Sequence, residues 1–428
     1  MREKSSQKRG STRGLERLPS TRSANVKKAE PVERDEYGRV KKRKRIKYSF
    51  FTLGAGLDLP LLILICILVA VGLVMLFSAS YAYAFSYYGN SFMFIEKQGI
   101  FALLGVIAML FISTVDYHKL HTFAVPIYIG CIGLLVFLFL CSVLGIEEIA
   151  PNKNGATRWL NFGIIEFQPS ELAKFGMITM LADYMSRRSE KLASYEIKGM
   201  ACFAFFGIVA FFVILEKHLS ATIIITLLAF ILMFIGGIKW WWFAGIGAAG
   251  AGVVAILVMF TDMFSHALVR IQGWLDPFNP PPGVDTWQTR QGLYAIGSGG
   301  LLGVGLGQSK QKYLYLPEPQ NDFIFAIVCE ELGFIGAIMI ILLFAMLIWR
   351  GVYVSINAKD RFGTLLGLGI TFTVGIQTVL NICVVTNAIP NTGISLPFFS
   401  YGGTSLVMLL CQMGVLLSIS RHSNVEKT

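Results

Sequence analysis

The sequence predicts an all-α polytopic membrane protein of about ten transmembrane helices, with both termini cytoplasmic and a long extracellular loop between spans seven and eight. Three observations lead there. Of 428 residues, 54% are hydrophobic and only 15% charged, with a mean hydropathy of +0.62; soluble domains carry about 25% charged residues. The apolar residues gather in windows near the roughly 20 residues that a helix needs to cross a bilayer. The net charge of +11 is confined to one end: residues 1–50 hold 17 Lys and Arg against 6 Asp and Glu, and the remainder of the chain is neutral.

Residues 1–50 form a tail rich in Ser, Arg and Lys that ends in RVKKRKRIK, just before the first apolar segment. Such a composition predicts disorder, and a basic run beside a first span predicts a cytoplasmic position near anionic lipid. The charge is therefore a membrane flank, and no nucleic-acid partner is expected. The long basic part, with no small-residue cleavage site after the apolar run, does not match a signal peptide.

Residues 51–420 form the transmembrane domain. Spans are expected near 58–78, 98–115, 123–145, 169–185, 199–215, 219–236, 240–261, 323–349, 363–386 and 398–420, followed by a short cytoplasmic C-terminus at 421–428. With the tail inside, the short inner connections carry eleven basic residues and the much longer outer ones eight, as the positive-inside rule requires. Two polar segments then face outward, 146–168 and 262–322. The second contains Trp274, Trp287, Pro280–Pro282 and the glycine run GSGGLLGVGLGQSK, a mixture that predicts an ordered loop folded back on the protein. All seven cysteines lie in apolar stretches without a CxxC pair or a neighbouring His, so they read as small packing residues rather than disulfide or zinc ligands.

Four segments combine polar chemistry with membrane helices. The glycine run includes GVGLGQ, but no strand precedes it and no GxxxxGK[ST] is present, so turns and close packing explain it better than a nucleotide. In NFGIIEFQPSELAKF (161–175), Pro169 suits a first helical turn, and Glu171 and Lys174 share a face three residues apart. That pair is either a self-neutralising ion pair at a helix end or part of a polar cavity lining. NTGISLPFFSYGGTSL (391–406) offers hydroxyls, among them Ser400, beside Gly402 and Gly403; it reads as a packed re-entrant turn or as a substrate contact.

The fourth segment, LPEPQNDFIFAIVCEELGF (316–334), puts three acids at the entrance of a span. A carboxylate in hydrocarbon costs about 2.5–3.5 kcal/mol on insertion scales. Asp322 stands at the loop-to-helix junction, where it would cap the helix or act as a catalytic base at a water-reachable mouth. Glu330 lies about 12 Å deeper along a continuous helix, and Glu331 points away from Asp322. These two are expected to be internal, paired or protonated groups bonded to neighbouring helices.

The blocks ATRWLNFG…FQPSELAKF, LYAIGSGGLLGVGLGQSKQKYLYLPE…NDFIFAIVCEELG and TGISLPFFSYGGTSL resemble, in order, the signatures of the SEDS family (shape, elongation, division and sporulation). The resemblance covers roughly residues 55–420, and the Ser309–Glu318 block is closer to the FtsW/SpoVE branch than to RodA. It implies a peptidoglycan glycosyltransferase of the bacterial cytoplasmic membrane, active at the outer face and, for this branch, at the division septum. Its substrate would be lipid II, a disaccharide peptide on polyprenyl pyrophosphate, polymerised into β-1,4 glycan. A class B penicillin-binding protein, other divisome proteins and membrane lipid are the implied partners. The family's essential acid maps onto Asp322, and its conserved Glu and Lys onto Glu171 and Lys174. Two departures stand out: Gln320-Asn321 replaces a frequent His-Thr before the aspartate, and His218 in EKHLSAT replaces the Asp of a QPDLGT block.

Forming a β-1,4 bond from an α-linked pyrophosphate inverts the anomeric carbon, so one displacement with one general base suffices. Asp322 is the expected base. The leaving pyrophosphate needs cationic stabilisation, for which Arg158, Lys174, Lys310 and Lys312 are the outward or near-outward candidates, with a divalent ion (Mg or Mn) as the alternative source of charge. Gln168, Glu171 and Ser400 complete the expected substrate contacts, and no organic cofactor is evident. A flippase moving lipid II outward also suits many spans with interior carboxylates, and a divisome scaffold would explain the tail. The concentration of polar motifs at the outer ends favours the enzyme.

Overall fold

The structure, a computed structural model, describes residues 56–153, 156–163, 166–187, 196–247 and 271–423. The tail and most of the seventh expected span lie outside these residues. The chain divides into two units, Met1–Lys47 and Tyr48–Thr428; everything below concerns the second. Among the described residues its helices are α1 (Leu59–Tyr88), α2 (Met93–Thr114), α3 (His118–Val143), α4 (Pro169–Arg187), α5 (Glu196–Leu215), α6 (Leu219–Ile235), α7 (Trp287–Gly299), α8 (Ile324–Ile356), α9 (Arg361–Val385) and α10 (Gly403–His422). The only strands among the described residues are two two-stranded ribbons between α3 and α4, pairing Asn152–Lys153 with Ala156–Thr157 and Leu160–Asn161 with Glu166–Phe167. The protein is an all-α polytopic membrane protein.

Local chemistry sets the helix ends. Asp58 accepts from the Leu61 amide at 3.0 Å and Pro60 occupies the first turn, starting α1. Asp360 caps α9 through the Gly363 amide at 3.2 Å. Asp58 also pairs with Arg350 of α8 at 2.8 Å, tying the start of α1 to the far part of that helix. Helices α1, α2, α3, α8, α9 and α10 are long and apolar enough to span a membrane, while α6 and residues 199–215 of α5 are shorter apolar helices.

Helix α9 lies at the centre, packed against α3, α4, α6, α7, α8 and α10. Membrane helices have no hydrophobic drive toward one another and associate by close packing of small residues. Gly363, Gly367, Gly369 and Gly375 with Thr371, Thr373 and Thr378 give α9 such a surface, and Ile178 of α4 fills the space a side chain at Gly369 would need. Helix α4 is buried along most of its length, which explains why it tolerates Glu171, Lys174 and Asp183. Large apolar residues such as Ile100, Leu103 and Phe111 of α2, and Met339, Leu342 and Trp349 of α8, remain exposed on the outside of the bundle, where lipid solvates them.

One expectation changes. The eighth span is not one continuous helix: Gly333, at φ 67 and ψ −171, breaks α8 into an entering and a main half. The segment before it is ordered and folded back on the protein, as its composition predicts, and it contains a helix. Helix α7 runs beside the entering half of α8, with Gly292 against Phe323 and Gly299 against the Cys329 carbonyl. Residues 300–305 then occupy the break: the Val304 and Gly305 amides bond the Glu330 and Glu331 carbonyls (both 3.0 Å), and the Phe334 amide bonds the Gly300 carbonyl (2.9 Å). A side chain at Gly303 would collide with the Glu331 carbonyl, so only glycine permits this crossing. The chain returns toward Trp287, whose indole bonds the Tyr315 carbonyl at 2.9 Å. Residues 287–316 are thus a re-entrant hairpin.

Candidate active site

The acid pair of α8 serves this hairpin. Glu330 takes the Ser309 hydroxyl and the Lys310 amide (2.8 Å). Glu331 takes the Ser78 hydroxyl of α1 at 2.7 Å, the Ser309 amide at 3.3 Å and the Lys312 ammonium at 3.0 Å. Lys312 also donates to the Gly307 carbonyl (2.6 Å) and to Ser78 (3.2 Å). The expectation that Lys312 faces outward is corrected: its three donors are spent inside the protein, and the ammonium is buried. Both acids are internal, as expected, though their main partner is the returning loop rather than neighbouring helices; among the described residues only Ser78 comes from one.

Asp322 sits at the loop-to-helix junction, and it does not cap the helix. The N-cap of α8 is Phe323, with no side-chain cap bond. Asn381, fully buried on α9, donates to the Asp322 carbonyl at 2.7 Å and to the Ile394 carbonyl at 2.6 Å, clamping the junction to the 391–396 loop. Gly393, at φ 70, is close to the carboxyl: a Cβ there would lie 3.6 Å from Asp322 Oδ2. Burial, helped by the charge of Glu318, pushes the Asp322 carboxyl up to about 6.

The second cluster forms at the start of α4. The Lys174 ammonium, 1% exposed, pairs with Glu171 at 2.8 Å. Gln168 and Ser170 approach the His218 ring at 3.4 and 3.3 Å, and Arg158 donates to the Lys217 carbonyl at 2.9 Å. Contacts lead from here to the acid: Ser220 of α6 donates to the Thr392 carbonyl, next to Gly393. The structure therefore brings Gln168, Glu171, Lys174 and Arg158 together, and links them to Asp322 through the 391–394 loop. Lys310 is exposed on the returning limb of the hairpin. Ser400 shapes its own turn, its hydroxyl accepting from the Leu396 amide at 2.8 Å.

Two contributors escaped sequence reasoning. Asn381 carried only the weak signal of an amide within an apolar span. His218 stood out as a departure, without an indication of what it touches. Among the described residues no three His, Cys, Asp or Glu side chains gather as a metal site.

A family model described as a cell cycle protein, that of FtsW, RodA and SpoVE, matches residues 59–425. The chain belongs to this family. It is 40% identical over 339 residues to stage V sporulation protein E of Bacillus subtilis (strain 168), covering 78% of this chain and 89% of that one. It is 36% identical over 333 residues to a probable peptidoglycan glycosyltransferase FtsW of Geobacter sp. (strain M18), covering 78% and 88%. A solved structure reported as the structural coordination of polymerization and crosslinking by a peptidoglycan synthase complex aligns with a TM-score of 0.70 at 23% identity, over 86% of this chain and 98% of that one. RodA of Thermus thermophilus aligns with a TM-score of 0.62 at 22% identity, over 87% and 99%. The FtsW–RodA–SpoVE fold thus extends over nearly all of the membrane unit, and the resemblance read from the motifs holds.

Proposed function

We propose that this FtsW–RodA–SpoVE family member is a peptidoglycan glycosyltransferase that polymerises lipid II at the outer face of the bacterial cytoplasmic membrane. The observation that carries the reading is Asp322: a carboxyl held at a loop-to-helix junction by Asn381, relieved of any capping duty and pushed up to about 6. A general base works best with a pKa near the operating pH. Asp322 takes the proton of the acceptor sugar's 4-hydroxyl as that oxygen attacks the anomeric carbon of the donor. The bond to the pyrophosphate breaks on the opposite face, inverting the centre.

Arg158 and Lys174, the latter paired with Glu171, face the leaving pyrophosphate, Gln168 contacts the substrate beside them, and Lys310 reaches it from the hairpin. Lys312 has no part in this because its ammonium is committed to Glu331. A divalent ion at Asp322 would draw most of its ligands from substrate phosphate and water, as Mg²⁺ commonly does. The product is an uncrosslinked strand, so the fitting partner is a class B penicillin-binding protein, acting within the divisome at the septum. The match to a peptidoglycan synthase complex supports that pairing.

A flippase remains the competing class, since broken helices often line transport sites. Here the break in α8 is filled by residues 300–305 and its acids are bonded to the protein, which favours the polymerase. The test is synthesis from purified lipid II by wild type and Asp322→Asn, each with the cognate transpeptidase. Glycan from the wild type alone supports the reading. Normal yield from Asp322→Asn removes the base, and lipid II translocation without polymer replaces the enzyme by a flippase.

A further inference from the structure

The turn joining α5 to α6 carries chemistry that this mechanism leaves unused. His218, the N-cap residue of α6, is 8% exposed. Its ring faces Ser170 Oγ at 3.3 Å and Gln168 Nε2 at 3.4 Å. Gln168 Nε2 is equally close, at 3.4 Å, to both ring nitrogens, and a neutral imidazole offers such an amide donor one lone pair. Burial, then the positive charges of Arg158 and Lys174, hold its pKa down at about 3. From its own turn come the exposed Lys217 and Glu216, a carboxyl 4% exposed and pushed by burial to about 8, hence neutral at pH 7. Neither Glu216 oxygen has a hydrogen-bond partner among the described residues, and the Lys174 ammonium has Glu171 alone. Buried polar groups are normally satisfied. An under-satisfied cluster with excess positive charge and a neutral imidazole is built for an anion that arrives with the substrate.

Resting on the polymerase reading, we propose that His218 belongs to the diphosphate subsite and takes up a proton when the diphosphate arrives, so that an imidazolium joins Lys174 and Arg158 in holding it. The anion reverses the sign of the potential at the ring, and a neighbouring negative charge favours charged histidine. The proton comes from solvent, and no substrate bond breaks at this step. Gln168 adapts by turning its carboxamide to offer Oε1 to the new N–H. Because Ser220, two residues on, bonds Thr392 beside Gly393 and Asp322, the captured diphosphate lies next to the catalytic carboxyl. When the sugar–oxygen bond breaks, its electron pair passes to the phosphate oxygen, and the imidazolium N–H is already placed to hydrogen-bond it.

The experiment is calorimetric titration of the full chain in detergent with farnesyl diphosphate, in two buffers of different ionisation heat, for wild type and His218→Gln. The wild type is expected to take up close to one proton more than the variant near pH 6.5. Its Kd should rise by up to about tenfold per pH unit above that of the variant as pH increases. Equal proton uptake overturns the proposal, and so does absence of binding by both proteins. Spectra of wild-type protein with ¹³C-labelled histidine give a reading that needs no variant: one ring should move from the neutral to the imidazolium shift on adding the diphosphate, and no movement overturns the proposal. Lipid II polymerisation is measured on the same preparations. Polymer with equal uptake removes His218 alone, whereas no polymer removes the reading beneath it.

Discussion

Asp322 is held in a state the isolated side chain would not choose. Its carboxyl, raised from 3.8 to about 6, binds a proton in the folded protein over a range where the unfolded chain has released it. Folded stability is therefore greatest below pH 4 with respect to this group and falls as pH rises through 6. Asp322→Asn is expected to raise the unfolding free energy at pH 7.5, on the order of 2 kcal/mol, while abolishing synthesis; thermal melting alongside polymer yield checks both. Wild-type activity should decline as pH drops through about 6, since the base is then protonated, and a pH–rate profile flat from 5 to 8 would refute that assignment. Lys312 shows the opposite economy. Removing one member of a buried ion pair typically costs about 3–5 kcal/mol, so Lys312→Met should lower the melting temperature sharply, and unchanged melting would contradict the buried pair. The position of Asp322 was legible from a polar loop meeting an apolar run. The burial of Lys312 was not, because it depends on how glycines 300–307 fold, and no residue near Lys312 encodes that.

At the scale of elements, helix existence followed from apolar windows, and the deviations have physical causes. Residues 398–402, expected to open the last span, stay non-helical because Gln98 of α2 takes the Gly402 amide at 3.2 Å and donates to the Ser400 carbonyl at 3.3 Å. Hydropathy is blind to that tertiary competition. It is equally blind to the break in α8, since Gly333 sits in an unbroken apolar run and its φ of 67 is imposed by the backbone crossing at Gly303. Gly333→Ala is expected to destabilise by more than the roughly 1–3 kcal/mol of a strained backbone, because the new methyl also strikes the hairpin. Gly297→Ala, in α7 with open space around it, should be neutral or slightly stabilising. Similar melting temperatures for the two variants would argue against the crossing.

For the whole molecule, the concentration of charge in residues 1–50 and the neutrality of the rest predicted a membrane protein with a cytoplasmic tail. Orientation is directly testable. Lys310 and Lys359 are both exposed and lie toward opposite ends of α8. A cysteine at 310 should react with a membrane-impermeant thiol reagent added to intact spheroplasts, and one at 359 only after permeabilisation; the reverse pattern would invert the topology. The family fold was readable from three motif blocks. The joining of the α4 cluster to Asp322 was not, because it passes from Ser220 to the adjacent Thr392 and Gly393, and Ser220 and Thr392 are 172 positions apart in the chain.

The re-entrant hairpin also bears on how the protein is made. A nascent helix carrying two adjacent carboxylates is a poor client for insertion into lipid. Among the described residues, every side chain that bonds the Glu330 and Glu331 carboxylates precedes them in the chain: Ser78 in α1, then Ser309 and Lys312. The backbone amides of 309–311 do as well. Synthesis runs from the N-terminus, so the ribosome has delivered each of these groups before the acids leave its tunnel. The order of the sequence itself therefore acts as an assembly schedule, in which the receptor for the costly pair is available before the pair has to enter the bilayer.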